Sequence, residues 1–206
     1  MGFGLVIIGY LSVFGVLPDS FIYYSWSIFI AVAGGILMLL GFIKLQEYNI
    51  YFKIMKYLTI IYILILLGFA PFLIIKNNEN FIILFTLVSK IIRLCFLFVF
   101  HFFMLTGIKT LAKEIENTKV EKKAKNNILL TYIYFAAFVL ELFILSNDSA
   151  LLVAQIMFLF GFVYFIVTLS TLYNCYMRIT YEGHDEKIDE KYEEKNNKNN
   201  NKKNGR

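Results

Sequence analysis

Charge in this chain is confined to blocks. Long runs carry no Asp, Glu, Lys or Arg, while other stretches read TLAKEIENTKVEKKAKNN. A water-soluble helical fold places a charged residue on the outer face of each helix every turn or two. That recurrence is missing here, so the outer faces of these helices must meet something other than water. Composition agrees: 59% of the residues are hydrophobic and 17% charged, against about 25% charged in an ordinary soluble domain.

A helix needs about 20 apolar residues to cross a hydrocarbon core roughly 30 Å thick. Six runs meet that need or come near it: 3–17, 26–43, 57–75, 81–107, 128–145 and 150–173. The first lacks a preceding Lys or Arg, and Pro18-Asp19-Ser20 lacks the small-x-small pattern of a cleavage site. It is therefore expected to stay as the first arm of a helical hairpin. The fold class that follows is all-α: a polytopic integral membrane protein with a six-helix transmembrane bundle.

Orientation follows from the lysines, which accumulate in cytoplasmic loops. Lys44, Lys53 and Lys56 follow the second run, and Lys109, Lys113, Lys119, Lys122, Lys123 and Lys125 follow the fourth. Eight more, from Arg178 to Arg206, follow the sixth, against Lys76 alone on the other side. Six spans with both termini cytoplasmic produce this alternation, and the expected location is the cell membrane. The net charge of +5 then reflects orientation in a bilayer, and no nucleic-acid partner is implied.

Residues 1–178 form the expected six-span domain and 179–206 a charged cytoplasmic tail. The tail is too poor in apolar anchors to offset the entropy of ordering, so disorder is expected of it. Past the fourth run, Ile108, Leu111, Ala112 and Ile115 keep helical spacing. The helix should run on beyond the lipid, its apolar stripe resting on the membrane surface or on another helix. Lys119, Lys122, Lys123 and Lys125 would then lie near anionic lipid headgroups, each gaining on the order of 1 kcal/mol.

Small residues suggest which helices pack. Ser27, Ala31 and Gly35 recur at four-residue intervals with Gly34 beside them, and the first run carries Gly4, Gly9 and Gly15. Small residues let backbones approach closely in lipid, so the first two helices should pair. A homo-oligomer contact, or one with another membrane protein, is the alternative. Pro71 should bend the third helix. Gly161, Tyr164, Thr168, Thr171 and Cys175 form one stripe of the sixth, expected to face the interior.

Lys90 and Arg93 interrupt the fourth run. Each basic residue at mid-membrane depth costs roughly 2.5–3.5 kcal/mol by insertion scales, so they ask for a partner. They share a helix face, and Glu141 and Gln155 lie four and five residues from the outer ends of the fifth and sixth runs. These four make a candidate intramembrane polar site in the outer half of spans four to six. With one carboxylate against two bases, it suits an anionic ligand or headgroup. The structural alternative is snorkelling to the outer interface, or an ion pair with no ligand. His101, bordered by Phe100 and Phe102, reads as a hydrogen-bonded packing residue.

Nothing in the sequence spells out a reaction. Cys95 and Cys175 stand on different spans, with no CxxC. HExxH, GxSxG and phosphate-binding glycine loops are missing, and no His or Asp/Glu pair has metal-site spacing. Asn147-Asp148-Ser149 matches a glycosylation sequon but lies against the membrane. The expectation is a non-enzymatic protein without cofactor or metal, with two readings. One is a small permease or ligand-binding membrane subunit. The other is an accessory or sensory protein working through helix and cytoplasmic contacts.

Overall fold

A computed structural model describes residues 2–15, 25–69, 79–144 and 150–181. Six helices follow one another: α1 (Phe3–Tyr10, continued by a π-helical turn Leu11–Gly15), α2 (Ser25–Leu45), α3 (Ile50–Phe69), α4 (Glu79–Glu114), α5 (Thr118–Ile144) and α6 (Ala150–Cys175, continued by a π-helical turn Tyr176–Tyr181). No strand occurs among the described residues. Three helices are long and apolar enough to cross a membrane, through Ile50–Gly68, Leu94–Glu114 and Gln155–Ile179. The apolar stretches Phe3–Phe14 and Phe29–Leu45 are shorter, and α5 opens with four lysines in its first eight residues.

The outer faces of these helices are apolar. Leu64, Leu129, Leu140, Leu159 and Phe162 are all more than half exposed. A continuous coat of this kind is stable in lipid and an aggregation surface in water. The described residues thus form an all-helical fold suited to a membrane.

Each helix packs on its sequence neighbours, and α6 returns to α1, so the six close into a ring of antiparallel pairs. Phe3 meets Phe52 edge-on at 5.7 Å, Gly2 lies against Gly41 and Leu45, and Gly4 lies against Tyr176. The first and last described residues therefore share one end of the ring with both short connections. Lys44, Lys53, Lys56, Lys109, Lys113, Lys119, Lys122, Lys123, Lys125 and Arg178 gather at that same end, because they flank these connections and the end of α6.

The α1–α2 pair forms as the glycines suggest, but on a different face. A Cβ on Gly9 would lie 2.5 Å from the Gly34 carbonyl oxygen, and one on Gly2 would lie 2.4 Å from that of Gly41. Gly2 and Gly9, like Gly34 and Gly41, stand seven residues apart, two turns along one face. Gly35 points instead at Ile63 of α3, 2.9 Å from its added Cβ. Steric room at consecutive glycines is equal in the sequence, and only the position of α3 assigns one of them to each neighbour.

The long segment between the fourth and fifth runs is mostly helix. α4 spans 36 residues, about 54 Å at 1.5 Å per residue, and α5 begins three residues later. The connection is compact because both ends are capped. Glu116 adopts φ 60°, the Asn117 N–H donates to the Ala112 carbonyl at 2.8 Å and the Glu116 N–H to that of Lys113 at 3.2 Å. This is the Schellman arrangement, with a left-handed residue just past the helix end. Asn117 Oδ1 then accepts the Val120 N–H at 3.2 Å, capping the next helix. The apolar stripe past the fourth run packs on helices, since Ile108, Leu111 and Ala112 join Val120, Ala124, Phe52 and Ile179 in the core. Pro71, Asp148 and the sequon lie outside the described residues.

Candidate functional site

The described core contains a polar cluster built by α1, α4, α5 and α6. His101 on α4 is buried, and its Nδ1 lies 2.8 Å from the Leu97 carbonyl one turn earlier. A carbonyl can only accept, so Nδ1 carries the proton, and in the neutral ring Nε2 is left as an acceptor. Tyr10 of α1 fills that role, its hydroxyl donating to Nε2 at 2.8 Å. Tyr10 also stacks on Phe165 of α6 at 5.5 Å, so one side chain of the short first helix is gripped by two others.

The second part joins α5 to α6. Asn127 Nδ2 donates to the hydroxyls of Thr168 at 3.2 Å and Thr171 at 3.3 Å. Thr131 donates its one proton to the Asn127 carbonyl at 2.8 Å, so at 2.9 Å the Tyr164 hydroxyl must donate to Thr131. The His101 ring lies 5.2 Å from that of Tyr164, linking the two parts. Tyr134 stacks flat on Tyr164 at 4.8 Å, its hydroxyl within 3.1 Å of where a Cβ on Gly161 would stand.

Each buried side-chain nitrogen and oxygen among the described residues has a hydrogen-bond partner. In an apolar medium an unpaired group costs several kcal/mol, so the cluster is a clamp holding four helices in one register. No group of three His, Cys, Asp or Glu among the described residues could hold a metal ion.

The sequence-predicted polar site lies further from the basic end. Lys90 and Arg93 belong to α4, Glu141 to α5 and Gln155 to α6. The side chains of Lys90, Arg93 and Glu141 lie outside the described residues, and Gln155 is exposed. The helix register still gives their levels. Phe98 contacts Tyr132 and Phe135 at 5.5 and 4.5 Å. Equal steps outward along antiparallel helices pair Lys90 with residues 140–143 and Arg93 with 137–140. Tyr134 contacts Phe160 and Tyr164, which in the same way pairs Glu141 with 153–157. The backbones of all four residues thus stand at one level on three consecutive helices.

The stripe of Tyr164, Thr168, Thr171 and Cys175 is buried as expected, and His101 is the hydrogen-bonded packing residue its surroundings suggest. Asn127 and Tyr10 were not singled out by sequence reasoning. Asn127 carried a signal: Val120, Ala124, Asn127 and Thr131 keep helical spacing across the edge assigned to the fifth run. Tyr10 carried none. No protein-family model matches the chain, and neither the curated proteins nor the solved structures compared with it give a match.

Proposed function

We propose that this chain is a non-enzymatic, six-span protein of the cell membrane with both termini cytoplasmic. In this reading it acts as a small permease or ligand-binding subunit for an anionic ligand. Lys90 and Arg93 supply the charge, Glu141 holds them in place, and Gln155 marks the same level on α6. The observation that carries the reading is the register: α4, α5 and α6 bring these four backbones to one level. The clustering of lysines at the opposite end supports the orientation. One carboxylate among two cations leaves a net positive charge in a low-dielectric setting, where an anion is held far more strongly than in water.

The test is thermal unfolding of the purified protein in detergent against a panel of small carboxylates, phosphates and sulfonates. A ligand that binds the native state raises Tm with concentration. Lys90→Met and Arg93→Met should abolish the rise while His101→Gln, outside the site, keeps it. The reading fails if no anion raises Tm, or if the rise survives both substitutions.

The second reading, an accessory protein whose intramembrane charges are structural, is favoured by one observation: the described polar core is closed on itself, each donor meeting an acceptor of the same chain. It predicts that Lys90→Met with Glu141→Leu leaves insertion and phenotype intact, and that truncation after Tyr181 releases a cytoplasmic partner.

A further inference from the structure

The α4–α5 hairpin carries a lysine face whose occupant can be argued from the chain itself. Lys119, Lys122, Lys123 and Lys125 are exposed, on the sides of α5 left by the buried Val120, Ala124 and Asn127, and Lys113 is exposed at the end of α4. Like charges three and four residues apart on a helix repel. Glu121, one carboxylate beside Lys125 in the first turns of α5, leaves the four lysines in excess, so this face calls for further counter-charge. The membrane is badly placed to supply it. On α5 the apolar coat begins at Leu129, which is 62% exposed. At 1.5 Å per residue Lys119 stands about 15 Å beyond it. With headgroups reaching about 5–7 Å past the hydrocarbon, Lys119 is still about one screening length, roughly 8 Å at physiological salt, from the lipid surface. Lys122, Lys123 and Lys125 stand about 10.5, 9 and 6 Å beyond the coat, so lipid competes most strongly for Lys125.

The chain leaves the described region beside this face. Ile179 is buried in the same core cluster as Val120 and Ala124. The α5–α6 register sets Tyr181 level with residues 113–117, at the hairpin tip. The next thirteen residues, 182–194, contain seven acidic side chains and two lysines. The remaining twelve, 195–206, contain five basic side chains and no acidic one. Six extended residues reach about 20 Å, enough to pass around one helix about 10–12 Å wide, and a tethered segment competes at millimolar effective concentration.

We propose that the acidic segment 182–194 docks in cis along the lysine face of the hairpin, against Lys119, Lys122 and Lys123, with Lys113 at its edge. The basic end, 195–206, is repelled from that face and left free for anionic headgroups. The proposal does not depend on the anion-site reading or on which side of the membrane the hairpin occupies.

The test is zero-length carbodiimide cross-linking of the full chain in zwitterionic nanodiscs, mixing isotope-labelled and unlabelled protein before reconstitution. Cross-links from Lys119, Lys122 and Lys123 to carboxylates of 182–194 should form within single chains. They should fall about fivefold or more at 1 M salt, where the screening length is about 3 Å, and vanish in the double variant Lys122→Glu, Lys123→Glu. Truncation after Tyr181 should speed amine labelling of these lysines by a similar factor, a readout that stands if the double variant does not fold. Cross-links spread evenly over all lysines, links only between chains, or labelling rates unchanged by truncation would each overturn it. So would lysine protection that needs anionic lipid and persists in the truncated chain, which would identify the membrane as the occupant.

Discussion

Tyr10 and His101, on helices facing one another across the ring and 91 positions apart in sequence, share a 2.8 Å hydrogen bond. α1 runs from Phe3 to Tyr10 and continues in a π-helical turn to Gly15. This bond and the flanking Phe14 contacts with Phe100 and His101 tie it to the centre of α4.

Tyr10→Phe should therefore cost stability out of proportion to one hydroxyl. It leaves His101 Nε2 buried without a donor, a penalty of about 1–3 kcal/mol. In the double variant Tyr10→Phe, His101→Phe the losses should be less than additive, because the orphaned acceptor is gone. Unfolding in mixed detergent micelles of the four proteins measures the coupling, and strict additivity would show that the bond does not form.

The α1–α2 contact makes a sharp contrast between glycines. Gly9→Ala drives a methyl into the Gly34 carbonyl and should destabilise by about 1–3 kcal/mol, as overpacking does. Gly68→Ala meets nothing within 4 Å and should be neutral or gain up to about 1 kcal/mol from helix propensity. Equal effects at the two sites, read from Tm in one detergent, would contradict the interlocked pair.

At the α4–α5 turn, Glu116 holds a left-handed backbone, which costs a residue with a Cβ roughly 1–2 kcal/mol. Glu116→Gly should raise stability by about 1 kcal/mol, and Asn117→Ala should lower it by about 1 kcal/mol through loss of the cap. A Tm that fell for both would mean the turn is built differently.

Thiol chemistry checks burial and orientation together. Cys95 is exposed and Cys175 buried, so a membrane-soluble maleimide should modify Cys95 alone in the folded protein. In a variant lacking both, Lys122→Cys should react with an impermeant reagent only in inside-out vesicles. Labelling of Lys122→Cys from outside intact cells would reverse the proposed topology.

Legibility differed between features for physical reasons. The burial of Tyr164, Thr168, Thr171 and Cys175 could be read in advance because residues three and four apart share a helix face. Pairing of α1 with α2 could be read from their glycines, but not the choice of Gly34 and Gly41 over Gly35, since adjacent positions differ by only 100° around the helix. Asn127 falls outside the fifth apolar run, because an apolar-run criterion stops where the lysines start even though the helix does not.

What the chain determines on its own is its helical class and its suitability for a membrane. Apolar runs without charge can be satisfied only by a helix in lipid or a buried core, and the separation of lysines from those runs gathers the charge between them. Both are sums over many residues, insensitive to any single contact. Which side chains meet across the bundle is decided only by the closed ring, because Tyr10 finds His101, and Asn127 finds Thr168 and Thr171, through rotations and registers that six helices settle jointly. A buried donor and acceptor have no cheaper alternative in an apolar medium once those helices are in place.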